Sequence, residues 1–185
     1  YQLHDNTGLL PVNMGAAIQA LEVSGLVTVD QSLVNHIASV RLTGRLSRIQ
    51  TEDLEVVLDV AHNVESVSQL VQFLKDHPVS GKTAAVFGVM GDKPIHDMLT
   101  LCESAFDEWH LIDLCHVPRA MSTDRLTEFL KPMGAPIHQG AFADLWQSLM
   151  TRVTTGDRVV VFGSFFSVGE ATAYLAAHHH DMEQH

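Results

Sequence analysis

No apolar run in this chain approaches the roughly 20 residues needed to span a bilayer, so a soluble protein with no membrane partner is expected. Cysteine is scarce. Cys102 and Cys115 form neither a Cys-x-x-Cys pair nor a disulfide framework, which predicts reduced thiols in or near the core and a cytoplasmic location. Cations are also scarce, with Lys+Arg 11 against Asp+Glu 22 and a formal charge of −11. Non-specific nucleic-acid binding depends on neutralising many phosphates, so nucleic acid is not expected as a partner. The 12 histidines are scattered, and no pair has the His-x-x-x-His or Cys/His grouping of a zinc site. Most read as ordinary surface or loop residues, and no metal ligand is expected. No cationic, apolar leader opens the chain, and Tyr1 in place of Met predicts a segment cut from something longer.

Several chemistries lack their signatures as well. The dinucleotide fingerprint Gly-x-Gly-x-x-Gly is absent. Gly163-Ser164 does not make a nucleophile elbow, because Phe162 and Phe166 stand where glycine belongs. Gly81-Lys82-Thr83 imitates the end of a phosphate loop, but the required first glycine would fall at Asp76 and the triplet precedes a strand instead of following one. Lys82 is therefore read as a surface residue.

What the chain does have is hydrophobic content of 46% over 185 residues, enough for one good domain plus a fragment of another. Its most informative stretch is Val56-Val57-Leu58-Asp59-Val60-Ala61-His62-Asn63. The unbroken apolar start suits a strand buried on both faces, as in parallel sheets covered by helices. Val64, Val67, Leu70, Val71 and Leu74 then keep the one-face spacing of an amphipathic helix, which leaves Asp59, His62 and Asn63 in the turn between. In open α/β sheets such turns face the ligand. The plainer alternative is that Asn63 caps the helix while Asp59 and His62 satisfy loop backbone.

The same alternation continues. Helical spacing from Asn13 to Leu21 ends at Gly25, and a second helix is predicted from an Asp30 cap to about Val40. Leu42-Thr43-Gly44-Arg45 breaks the pattern before a strand over Leu46 to Gln50. Further strands are predicted at Thr83 to Phe87, Trp109 to Leu114, near Ile137 and at Arg158 to Phe162. Helices are predicted from Pro94 to about Phe106, from Ser122 to Leu130, from Phe142 to Val153 with Trp146 in the core, and after Ser164. This pattern predicts an α/β fold, a Rossmann-like, doubly wound, mostly parallel sheet, in which right-handed crossovers place every strand-to-helix turn along one rim. Asp59, His62, Lys93, Arg119 and Ser164 would share that rim, and cations gathered there in an acidic chain suit an anionic ligand.

Asp59-x-Ala61-His62-Asn63, Gly91-Asp92-Lys93, Pro118-Arg119 and Phe162-Gly163-Ser164-Phe165-x-x-Val168 follow one another on matching elements. In that order they resemble the C-terminal domain of Mur-type ATP-dependent ligases, in particular the dihydrofolate synthase/folylpolyglutamate synthase family. The resemblance runs from about Leu10 to Leu175. Val12 to Ala17 is loosely similar to a helix start in the family's central ATP-binding domain. Gly44-Arg45 stands at a family Pro-Gly-Arg element with Thr43 in place of proline, and Val64 also replaces a usual proline.

The resemblance implies a domain plan: residues 1–42 as the end of the central ATP-binding domain, 43–177 as the glutamate ligase C-terminal domain and 178–185 as a disordered tail. It also implies that Asp59 holds the ATP ribose and Arg45 the phosphates. His62 and Ser164 would hold incoming L-glutamate, and Lys93 a glutamate carboxylate or the γ-phosphate. Arg119 is read as structural, Arg45 is otherwise a solvated linker residue, and no residue is assigned as catalytic. The implied reaction phosphorylates a carboxylate of dihydropteroate or of a folate with ATP, after which the amine of glutamate attacks the acyl phosphate. The phosphate loop, Mg2+ ligands and folate pocket would lie in an N-terminal domain outside this chain, so the chain alone is expected to be inactive and monomeric. Two other readings are another Mur-type amino-acid ligase and a non-catalytic nucleotide-binding module.

Overall fold

The structure is a computed structural model describing residues 11–39, 44–51 and 53–178. The loop expected before Pro11, the Leu42-Thr43 break and the tail after His178 lie outside the described residues. The chain divides into two compact units between Ser47 and Arg48. The first holds helix α1 (Pro11–Ser24) and helix α2 (Gln31–Ser39). Gly25 ends α1 at a φ of +64°, a conformation glycine adopts without steric cost. Asp30 Oδ1 accepts the Leu33 N–H at 2.8 Å and caps α2. The turn near the division has Gly44 N–H donating to Ser47 Oγ at 3.0 Å. The division thus falls a few residues beyond the boundary expected at Leu42-Thr43.

The second unit alternates strands and helices: β1 (Ser47–Gln50), β2 (Leu54–Leu58), α3 (Val64–Asp76), β3 (Thr83–Phe87), α4 (Ile95–Cys102), β4 (Glu108–Ile112), α5 (Thr123–Leu130), β5 (Ile137–Gly140), α6 (Phe142–Met150), β6 (Asp157–Phe162) and α7 (Phe165–Ala177). The six strands form one sheet in the order β1-β2-β6-β3-β4-β5, and the β2–β6, β6–β3, β3–β4 and β4–β5 pairs are all parallel. Every residue of β2 and β3 is buried, as an apolar run inside a parallel sheet should be. On one face Val56, Val86, Ile112 and Val161 pack with Trp146, Leu149 and Val168. Elsewhere in the core Phe87 and Phe162, partners in register, lie 4.8 Å apart between ring centroids, and Trp109 meets Phe87 edge-on. No helix of the described residues is long and apolar enough to cross a membrane.

Two expectations need correction. The helix after Pro94 stops at Cys102 rather than near Phe106, because Thr83 and Asp107 bind each other twice: Asp107 N–H donates to Thr83 O at 2.8 Å and Thr83 N–H donates to Asp107 Oδ2 at 2.7 Å. That pair draws the chain back to the sheet and leaves Phe106 stacked 5.4 Å from Phe162. Cys102 is buried, and burial pushes its thiol up to about 12. Cys115, expected in or near the core, is exposed in the turn after β4.

Candidate functional site

The carboxyl ends of β2, β3, β4 and β6 feed the rim, with β6 between β2 and β3. The Asp59 N–H continues the ladder one residue past β2 by donating to Val161 O at 2.9 Å. Its Oδ1 then accepts the Ala61 N–H at 2.7 Å, closing a tight turn that holds the carboxylate 6% exposed at the strand's end. The His62 Nδ1 lies 2.7 Å from Val60 O. A carbonyl only accepts, so Nδ1 carries a proton, and the tautomer this selects for an uncharged ring leaves the lone pair on Nε2. Asn63 is the cap of α3, as the plainer reading had it. Its Oδ1 accepts the Ser66 N–H at 2.9 Å, while Ser66 Oγ accepts the Asn63 and His62 N–H groups at 3.3 and 3.2 Å. Ser66, which the sequence reading passed over, therefore fixes the turn that carries His62.

Ser164 follows Gly163, whose φ is +107°. A β-carbon at Gly163 would meet Gly88 O at 2.6 Å, so only glycine allows β6 to close this tightly on β3. Ser164 is the cap of α7 and is nearly fully buried. Its Oγ accepts the Ser167 N–H at 3.0 Å and lies 2.8 Å from Ser167 Oγ. Ser167 Oγ donates to Gly88 O at 2.8 Å, so the Ser164 hydroxyl proton is given to Ser167. What remains on Ser164 Oγ for a ligand is acceptor capacity. Beside it Phe165 and Phe166 are 64% and 51% exposed, and the Phe165 ring lies 6.1 Å from His62. The sequence reading named both residues in motifs but gave neither ring a role on the rim. Their cue was an aromatic pair at a helix start, where solvent-facing positions are normally polar.

The turns after β3 and β4 are pinned together: Gly91 N–H donates to Arg119 O at 2.7 Å and Met121 N–H to Val89 O at 2.9 Å. Lys93, expected to meet a glutamate carboxylate or the γ-phosphate, pairs with Asp92 at 3.3 Å, and Arg119 Nη1 stands 3.8 Å from the same carboxylate oxygen. The Lys93 hydrogen bond, helped by the nearby Arg119 charge, holds the Asp92 carboxyl below its usual range. The three charges leave a net of one positive on that part of the rim. Arg119 takes a φ of +68°, uncommon for a side chain of its size. Arg45 is described within the first unit, half-exposed between Gly44 and Leu46, both at positive φ.

The caps give one separable expectation. Ser164→Ala should cost about 1 kcal/mol of stability, the worth of a helix cap, while Ser164→Thr should recover most of it. Urea unfolding of both variants checks this, and a loss below a few tenths in Ser164→Ala would show that the cap is idle.

A doubly wound, mostly parallel sheet with Asp59, His62 and a capping Ser164 at its strand ends places the chain among the open α/β domains. Residues 44–165 match the family described as Mur ligase, glutamate ligase domain, and the chain belongs to that family. It is 32% identical over 165 residues to the dihydrofolate synthase/folylpolyglutamate synthase of Escherichia coli, covering 89% of this chain and 38% of that protein. The Buchnera aphidicola (Schizaphis graminum) protein of the same name is 30% identical over 176 residues, with 91% and 41% covered. In structure the chain is similar to E. coli FolC in complex with DHPP and ADP, at a TM-score of 0.80 and 29% identity over 94% of this chain and 41% of that one. A bifunctional folylpolyglutamate synthase/dihydrofolate synthase with Mn, AMPPNP and L-glutamate bound gives a TM-score of 0.77 at 27% identity, with 92% and 41% covered. The chain spans about two fifths of the length of these relatives.

Proposed function

We propose that the protein carrying this chain is an ATP-dependent ligase that adds L-glutamate to dihydropteroate, to folylpolyglutamates or to both through an acyl phosphate. In this reading residues 43–177 are its C-terminal domain and residues 1–42 the end of its central ATP-binding domain. Relatives crystallised with ADP, with AMPPNP and Mn, and with L-glutamate support it. The observation that carries it is the acceptor character of the rim: His62 Nε2 and Ser164 Oγ both offer lone pairs beside an exposed phenylalanine. Lone pairs suit the N–H groups of an incoming amine, and removing a proton from that amine is what amide formation requires. Lys93 suits a carboxylate of the same glutamate. Asp59 suits ribose hydroxyls, which donate to a carboxylate.

A divalent ion, Mg2+ in this reading, neutralises phosphate charge when bound. Among the described residues the carboxylates of Asp59, Asp92 and Asp113 do not come close enough to one another to hold an ion together. They do not form a magnesium cage, and no step is assigned to the ion here. The low cation count disfavours nucleic-acid binding, the two unpaired cysteines favour a cytoplasmic location, and a monomer belongs to the same reading.

Arg45 is the residue proposed to touch the ATP phosphates from the linker. Lysine there keeps the charge but loses the planar fork. For the ligase containing this chain, Arg45→Lys should lower kcat more than ATP affinity, by on the order of 1 to 2 kcal/mol in transition-state stabilisation. Single-turnover kinetics checks it, and an unchanged rate would return Arg45 to the role of a solvated linker residue.

A further inference from the structure

Away from the rim, towards the amino end of β4, three side chains meet that the ligase reading does not use. His110 on β4 and His138 on β5 are partners in register, and their rings lie 4.8 Å apart and 19° from parallel. Glu108 precedes His110 by two residues and so shares its face of the strand. Its Oε1 is 3.1 Å from His110 Nε2, and its Oε2 is 3.9 Å from His138 Nε2. Arg152 Nη1 donates to the same Oε2 at 2.9 Å. One potential ligand atom from each of Glu108, His110 and His138 falls within 4.8 Å of the others. His110 is fully buried, and its Nδ1 has no partner among the described residues.

We propose that Glu108, His110 and His138 bind a zinc-class divalent cation. Two imidazole nitrogens and one carboxylate oxygen are the donors such ions take, with bonds of about 2.0 to 2.2 Å and a fourth position left open. Magnesium and calcium prefer all-oxygen sets, so they are not the expected occupants. Ligand atoms around a tetrahedral ion stand roughly 3.3 Å apart on those bond lengths, close to the 3.1 Å between Glu108 and His110. The nearly parallel rings do not converge on one point, so His138 must turn, and being 42% exposed it has room to do so. Arg152 holds Oε2 and leaves Oε1 to ligate, the role an outer partner plays for a metal-binding carboxylate. Facing a carboxylate, neutral His110 carries its proton on Nε2. Binding moves it to Nδ1, which has no partner among the described residues, so a buried N–H replaces a bare lone pair there. An ion here would tie the four-residue edge strand β5 to β4 and stabilise the fold by mass action.

The test is Zn2+ titration by calorimetry and Co2+ titration by visible absorption. Because His178, His179 and His180 adjoin one another in the tail, both are run on the full chain with those three changed to alanine. One Zn2+ should bind with a micromolar or tighter Kd, Co2+ should give tetrahedral absorption bands, and Tm should rise at saturating Zn2+ but not at equal Mg2+. His138→Ala, a surface change, should weaken Zn2+ binding by about tenfold or more and remove the bands. Glu108→Gln should weaken it as well. No saturable Zn2+ binding, or binding unchanged by both substitutions in chains of normal circular dichroism, overturns the proposal.

Discussion

Glu55→Ala is expected to remove about 3 to 5 kcal/mol of folding stability, the usual cost of stranding one member of a buried ion pair. Glu55 and Arg158 are register partners on β2 and β6 and are 4% and 2% exposed. Glu55 Oε2 takes the Arg158 Nε–H, while Arg158 Nη2 donates to His77 O at the end of α3. A second arginine, Arg48, donates Nε–H to Glu55 Oε1 at 2.6 Å and rests over the Phe73 ring at 5.7 Å. Glu55 therefore answers two guanidinium groups, one from β1 and one from β6. Exposure decides which contact matters. Arg48 is 46% exposed, so Arg48→Ala should cost under about 1 kcal/mol, as surface pairs do. Arg158 has no water to turn to once its carboxylate is gone. Against a domain stability of about 5 to 15 kcal/mol, the Glu55 loss corresponds to a fall in Tm of roughly 6 to 20 °C. Replacing both partners with apolar residues, Glu55→Leu with Arg158→Met, should recover most of it, since an apolar pair is often as stable as a buried ion pair. Denaturant unfolding of the three variants checks this; a Glu55→Ala loss no larger than that of Arg48→Ala would contradict it.

The larger functional effect is expected at Asp59. Its carboxylate is fixed by the Ala61 N–H and by the Asp59 N–H bond to Val161 O, so it is already aimed when a ligand arrives. In the ligase containing this chain, Asp59→Ala should raise the ATP KM by about 10- to 150-fold, the equivalent of roughly 1.5 to 3 kcal/mol for a charge-assisted hydrogen bond. Asp59→Asn keeps the turn acceptor but loses the charge, and should fall between. The glutamate KM should move little in either variant, because glutamate is assigned to His62, Lys93 and Ser164.

The order of elements was legible because parallel strands buried on both faces must be apolar runs, and the turns between them must carry the polar residues. Val56 to Leu58, Thr83 to Phe87 and Arg158 to Phe162 announced themselves in this way. The caps were partly legible: Asp30 and Asn63 have cap chemistry at helix starts, and Ser164 has the same chemistry, although its assigned role was ligand binding. The pairings between distant residues were not legible. Whether Arg158 meets Glu55, or His110 meets His138, depends on strand register, which no local pattern encodes. The Asp92 carboxylate shared by Lys93 and Arg119 depends in the same way on the two turns being pinned together. Cys115 was misplaced because cysteine is usually buried, whereas the turn after β4 needs backbone there: Cys115 N–H donates to Asp113 Oδ1 at 2.9 Å.

The most direct test of the ligase reading is ATP-dependent transfer of labelled L-glutamate to dihydropteroate and to tetrahydrofolate by the complete protein carrying this chain, measured for the parent, His62→Ala and Asp59→Ala. The account predicts amide product with at least one acceptor, a glutamate KM raised by His62→Ala and an ATP KM raised by Asp59→Ala, with the fold intact by circular dichroism. No amide formation with either acceptor, or transfer unchanged by both substitutions, would contradict it.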